Sequence, residues 1–103
     1  MEFVNNQYGN YLVQHVIDSG SEETRRQLHE RLRGSYSLLS RQKFSSNVVE
    51  RCLKHTNSSW RHELIAELSQ EEATVSQLLQ DSYGNYVMQN ALAVAESEQA
   101  AAL

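Results

Sequence analysis

The sequence predicts an all-α, helical-repeat solenoid, and three observations carry that prediction. The block Tyr8-Gly9-Asn10-Tyr11-Leu12-Val13-Gln14 returns as Tyr83-Gly84-Asn85-Tyr86-Val87-Met88-Gln89, with Phe44-Ser45-Ser46-Asn47-Val48-Val49-Glu50 between them. The intervals are 36 residues from Asn10 to Ser46 and 39 from Ser46 to Asn85, the range of repeats built from two or three helices. The apolar residues around the blocks keep the same register: Phe3, Leu39 and Leu78 before them, then Val16-Ile17, Cys52-Leu53 and Ala91-Leu92, then Leu28, Leu64 and Leu103. Proline is absent, so no residue withholds a backbone donor from a helix.

Each repeat of about 36–39 residues is expected to hold a short leading helix, a longer helix carrying the block, and a third helix. The approximate bounds are 1–34, 35–70 and a partial repeat over 71–103. In the first motif helix Tyr8, Leu12 and Val16 fall four apart and, with Val13 and Ile17, form an apolar stripe. Asn10, Tyr11 and Gln14 share a patch on the opposite face. The third helix should begin at Ser19 or Ser21, with Glu22 and Glu23 favourable in its first turn. Leu28 and Leu32 face inward, and Gly34 is the terminator. Ser58 or Ser59 is the matching start in the second repeat, ahead of Leu64, Ile65 and Leu68, and Ser97 with Glu98 in the last.

The longer interval must gain its three extra residues between Leu68 and Leu78, where the polar run Ser69-Gln70-Glu71-Glu72 reads as a loop. Tyr8, Phe44 and Tyr83 are expected to pack between repeats. Gly9 and Gly84, with Ser45 in the same place, should permit close helix approach, since a helical Gly otherwise costs about 1 kcal/mol relative to Ala. Little precedes the first block, and the chain stops at Leu103. The array therefore reads as a piece truncated at both ends, whose uncovered apolar faces favour self-association.

Composition bounds the function classes. No stretch approaches the roughly 18 apolar residues of a membrane span, and no signal-peptide pattern opens the chain. Cys52 is the single cysteine, which excludes a disulfide framework and points to a reduced, intracellular setting. His15, His29, His55 and His62 are scattered, and one thiol cannot build a zinc site of thiolate pairs. No nucleophile–base spacing and no glycine-rich phosphate loop occurs, so the reading is of a non-enzyme with neither cofactor nor metal.

The polar residues that vary between blocks carry the functional reading. A polar trio on one helix is ordinary solvated surface; three in register, each a matched set, suggest recognition. Gln14 and Gln89 each offer an oxygen and an amide, suited to an edge that alternates acceptor and donor, as uracil's does. Asn10 and Asn85 add a second amide, and Tyr11 and Tyr86 add flat rings. Glu50 in the middle block can accept two adjacent donors at once, as guanine presents them, and would repel uracil's acceptors.

On these blocks the chain resembles part of a Pumilio-type (PUF) RNA-binding domain, a class that reads one base per helical repeat. The matching stretches are Gln7 to Val16, Lys43 to Cys52 and Asp81 to Gln89, and the register covers nearly the whole chain. The resemblance implies that Asn10 and Gln14 read U, Ser46 and Glu50 read G, and Asn85 and Gln89 read U. Tyr11, Asn47 and Tyr86 would lie between bases. That order is similar to the UGU core read by the family's last three repeats, on single-stranded RNA running antiparallel to the protein. It further implies binding to mRNA 3′-UTRs in the cytoplasm, translational repression, and repressor or deadenylase proteins on the outer face. Two other readings stand beside it: a helical scaffold for protein partners, or a Pumilio-like ribosome-assembly factor, which would be nucleolar.

Charge qualifies the nucleic-acid reading. Nine basic residues face 13 acidic ones, a net charge of −4, not the usual basic footprint. The basic residues concentrate in the middle, where Arg41 and Lys43 precede the central motif helix and could meet phosphate. Recognition would then rest on stacking and base edges more than on bulk charge, with weak salt dependence.

Overall fold

The computed structural model describes residues 3–102, apart from the side chains of residues 58 and 98–102. Among the described residues every regular element is α-helical: α1 (Gly9–Ser19), α2 (Glu22–Leu32), α3 (Tyr36–Ser40), α4 (Ser45–His55), α5 (Ser58–Ser69), α6 (Glu72–Gln80) and α7 (Gly84–Ala102). The motif helices α1, α4 and α7 pack side by side, with α4 between the other two. Leading helix α3 packs on α4 and α5, and α6 on α5 and α7. The slab is 33 × 31 × 18 Å, and its thin dimension matches two helix layers at the usual interaxial distance of about 8–10 Å. This is the solenoid the register predicts.

Local chemistry sets each boundary. Ser21, of the two serines expected, caps α2 by accepting the Thr24 N–H at 3.1 Å, while Ser19 ends α1. In the second repeat α5 begins at Ser58, the first of the two serines expected there, but the cap is Asn57, whose Oδ1 accepts the Trp60 N–H at 2.9 Å. The third position in this register is Glu96, which supplies no such cap. There α7 runs unbroken for 19 residues, and the expected new helix at Ser97 and Glu98 does not form. Gly34 follows α2 in the left-handed region, at φ 82°, as helix-terminating glycines do. Its N–H and that of Tyr36 both donate to the Glu67 carboxylate, at 2.7 and 2.9 Å.

The extra residues of the longer interval do not lengthen a loop. They extend the leading helix instead: α6 has nine residues where α3 has five, and only Gln70 and Glu71 separate α5 from α6.

The core follows neighbours rather than stripe. Val48, Val49, Cys52 and Leu53 of α4 are all completely buried, joined by Ile17, Leu39, Leu64, Leu68, Leu78 and Val87. Leu28 and Ile65 are partly buried against them. In α1 the stripe turns by about one residue: Val13 and Ile17 are buried, but Leu12 is 61% exposed. Tyr8 and Tyr83 are exposed and Phe44 is half-buried, so these aromatics do not fill the space between repeats as expected. Gly9 does serve close approach, since a Cβ there would lie 2.2 Å from the Phe3 carbonyl oxygen. Ser45 is accommodated in the same place because its hydroxyl donates to the Leu39 carbonyl at 2.7 Å.

On the layer opposite the motif helices, Tyr36 gathers a buried polar cluster. Its hydroxyl accepts from Trp60 Nε1 at 2.7 Å and lies 2.8 Å from His29 Nδ1. His29 Nε2 in turn meets the Glu63 carboxylate, which that hydrogen bond holds below the usual carboxylate range. Burial pushes the Cys52 thiol far up, which leaves it protonated and unreactive.

Candidate nucleic-acid interface

The varying side chains sit in the first two turns of each motif helix, so the caps at those helix starts position them. In α1, Asn6 Oδ1 accepts the N–H groups of Tyr8 and Gly9 at 2.8 and 2.9 Å. In α7, Asp81 does the same for Tyr83 and Gly84, at 2.8 Å each. The equivalent residue before α4 is Gln42, and there the cap comes from the preceding repeat: Asn5 Oδ1 accepts from Phe44 and Ser45 at 3.1 Å. The start of the central helix is thus fastened to its neighbour.

Asn10 is completely buried, its amide nitrogen donating to the Asn6 and Gln7 carbonyls at 2.8 and 3.1 Å. Its oxygen accepts from Gln14 Nε2 at 2.9 Å. Asn85 repeats the pattern: Nδ2 donates to the Asp81 and Ser82 carbonyls at 2.6 and 3.0 Å, and Oδ1 accepts from Gln89 at 3.3 Å. Ser46, buried, donates instead to the Lys43 carbonyl at 3.2 Å. The first residue of each pair is therefore spent on the helix start, and the second is the one presented outward.

A cleft of about 320 Å³ between α1 and α4 collects Tyr11, Gln14, Asn47 and Glu50, together with Arg51, Lys54 and His55. Tyr11 is 68% exposed and Tyr86, at the same register on α7, 61%. Asn47 is exposed between them in sequence order. The cleft thus combines a free aromatic ring, an amide, a carboxylate and cationic groups. Arg41 and Lys43 are exposed ahead of α4 but do not line it; the Lys43 ammonium lies 5.3 Å from the centre of the Phe44 ring. Asn85, Gln89 and Tyr86 stand on α7, outside this cleft.

Sequence reasoning missed two residues that immediately follow readers, Arg51 and Asn90. Arg51 donates from Nε to Gln14 Oε1 at 3.2 Å and pairs with Asp18 at 3.4 Å. Asn90 donates to Glu50 Oε1 at 2.6 Å. The signal was present, since His15, Arg51 and Asn90 share one register, but their differing chemistry disguised it. A separate cleft of about 420 Å³ between α2 and α5 mixes Glu22, Glu30 and Glu63 with Arg25 and Arg26 and holds no exposed aromatic ring. Among the described residues no group of His, Cys, Asp and Glu is placed to hold a metal ion, and no helix is long and apolar enough to cross a membrane.

A family model described as the Pumilio-family RNA binding repeat matches residues 1–28, 35–69 and 75–103. Pumilio homolog 12 of Arabidopsis thaliana is 42% identical over 85 residues, covering 82% of this chain and 14% of that protein. A Pumilio domain-containing protein of Schizosaccharomyces pombe is 35% identical over 103 residues, covering 100% of this chain and 15% of its own length. The chain thus spans about a seventh of these relatives. Among solved structures, PUF-8 in complex with PBE-RNA superposes with a TM-score of 0.80 at 38% identity, over 87% of this chain and 27% of that one. The Puf3 RNA-binding domain bound to a recognition site of the Cox17 RNA 3′ UTR gives a TM-score of 0.82 at 32% identity, over 90% and 26%.

Proposed function

The chain belongs to the Pumilio family of RNA-binding repeats, and from that premise we propose that it binds single-stranded RNA, one base per repeat, with the order U-G-U. The observation that carries this reading is the contrast inside one cleft: Gln14, an amide that both donates and accepts, beside Glu50, an acceptor only. The amide suits uracil's donor and acceptor; the carboxylate suits guanine's two adjacent donors. Gln14 and Gln89 present the amide edge, while Asn10 and Asn85, through their bonds to those glutamines, orient it. Ser46, shorter than the Asn at its register, leaves room for the larger purine. Tyr11 and Tyr86 stack on bases, with Asn47 as the weaker spacer, and Arg41 and Lys43, exposed ahead of α4, would meet phosphate.

Affinity of this chain for a short RNA should be modest. Stacking contributes roughly 1–3 kcal/mol per base, and ordering a flexible strand offsets part of that. Binding on the order of micromolar to millimolar follows. In the cell the role would be that of an mRNA 3′-UTR repressor in the cytoplasm, with repressor or deadenylase proteins on the layer of α2 and α5. The test is the double substitution Ser46→Asn with Glu50→Gln, titrated against UGU and UUU oligomers. Preference should move toward UUU by about 1–3 kcal/mol, the worth of one bidentate base contact; an unchanged preference would sink the assignment.

A further inference from the structure

The reading side chains are held from outside their own repeat. Arg51, the residue after Glu50, bonds back to Gln14, and Asn90, the residue after Gln89, bonds back to Glu50. The sequence separations, 37 and 40, are the two repeat intervals plus one. We propose that Arg51 and Asn90 are specificity-positioning residues, each fixing the orientation of the base reader one repeat before its own. The inference rests on the base-reading assignment of Gln14 and Glu50 above.

The polarity of the amides fixes the orientation of Gln14. Asn10 must turn its nitrogen to the Asn6 and Gln7 carbonyls, so its oxygen faces Gln14. An oxygen there demands the Gln14 nitrogen. On the other side a guanidinium, which has donors only, demands the Gln14 oxygen. Turning the Gln14 amide over would set oxygen against oxygen and N–H against N–H. Arg51 is itself anchored, by Asp18 of α1 and by His55 one turn along α4, each at 3.4 Å. One N–H and one lone pair of Gln14 remain, in a fixed order.

That order matters because uracil and cytosine differ by its reversal. Uracil places an acceptor, O4, beside a donor, N3–H; cytosine places a donor, N4–H, beside an acceptor, N3. A locked Gln14 therefore discriminates between the pyrimidines, whereas a freely turning one accepts either. For Glu50 the two carboxylate oxygens are chemically alike, so Asn90 sets the plane rather than the polarity. Its bond uses one lone pair of Oε1 and leaves the others for guanine. Base choice in one unit thus depends on a residue of the next.

The experiment titrates the 103-residue chain and its Arg51→Ala and Arg51→Lys variants with RNA oligomers ending in UGU or UGC, so that only the base opposite the first repeat differs. The preference for UGU should fall about fivefold in Arg51→Ala, the worth of one partly exposed charge-assisted hydrogen bond. Arg51→Lys should restore part of the loss. In the absence of RNA, the Gln14 side-chain amide signals should shift and broaden in Arg51→Ala. An equal loss of affinity for both oligomers would make Arg51 a phosphate contact and overturn the proposal, as would an unchanged UGU/UGC ratio or tighter binding by Arg51→Ala. Failure of the unsubstituted chain to bind either RNA would overturn the base-reading assignment itself, and the positioning role with it.

Discussion

The central motif helix α4 and its two counterparts, α1 and α7, carry equivalent residues in unequal surroundings. At one register, Leu12 of α1 is exposed while Val48 of α4 and Val87 of α7 are completely buried. At another, Ile17 and Leu53 are completely buried while Leu92 of α7 is 56% exposed. The first position faces the preceding repeat and the second the following one. Among the described residues, α4 alone of the three motif helices has another on each side, and it alone buries both positions. The same asymmetry runs through its polar parts, because its N-terminal cap is Asn5 of the repeat before and its reader Glu50 is held by Asn90 of the repeat after. In a solenoid a core position is defined by what stands beside it, and so is a reading position.

Truncating the same register in two helices should separate their surroundings most clearly. Leu53→Ala should cost about 2–5 kcal/mol, the range for a fully packed leucine. Leu92→Ala should stay within about 0.5 kcal/mol, as for an exposed site without special contacts. Urea denaturation of the two variants measures the difference directly. Equal losses would mean that Leu92 is covered in solution, as self-association of the chain through its exposed end would produce.

Stacking sharpens the contrast on the RNA side. The outer two repeats offer Tyr11 and Tyr86, whereas the central one offers Asn47, exposed but without a ring. Tyr11→Ala should weaken binding of a UGU oligomer by about 1–3 kcal/mol, and Asn47→Ala by well under about 1 kcal/mol. Titration monitored by anisotropy separates the two. A larger effect at Asn47 would mean that the central repeat contributes contact as well as choice.

Much of this architecture was legible because the register is redundant. Periodic leucines and valines located three repeats, and Ser21 and Gly34 follow rules that act within a few residues of chain. What was not legible depended on partners distant in sequence. Asn57 outranks Ser58 and Ser59 as a cap because of its geometry toward Trp60, and Glu96 at the same register lets α7 continue. Tyr8 is apolar enough to look like core, yet it is exposed. The readers were identifiable as varying polar residues, but the burial of Asn10 and the hold of Arg51 on Gln14 emerge only once two helices lie side by side.

The borrowed cap gives a smaller prediction. Asn5→Ala leaves the Phe44 and Ser45 N–H groups without their acceptor and should cost about 1 kcal/mol, the usual worth of a helix cap. Asn6→Ala, which removes the cap of α1 alone, is the matched control. If Asn5 joins the first repeat to the second, its loss should also lower the cooperativity of unfolding, seen as a smaller urea m-value; loss of Asn6 should not.

The smallest expected effect lies on the layer farthest from the readers, where His29 of α2 meets Glu63 of α5 and links the first repeat to the central one. The hydrogen bond from His29 holds the Glu63 carboxyl below its ordinary range in the folded chain. A carboxyl lowered by folding stabilises the fold wherever it is ionised in both states, and that contribution disappears as pH falls through the folded value. The melting temperature of the unsubstituted chain should therefore exceed that of Glu63→Gln at neutral pH. The gap should hold down to about pH 5 and close below it, as the unfolded and then the folded carboxyl take up protons. RNA preference should be the same in both, because neither residue lines the cleft of Gln14 and Glu50. A gap that persists unchanged at pH 3 would locate the effect of the substitution in packing rather than in the charge of Glu63.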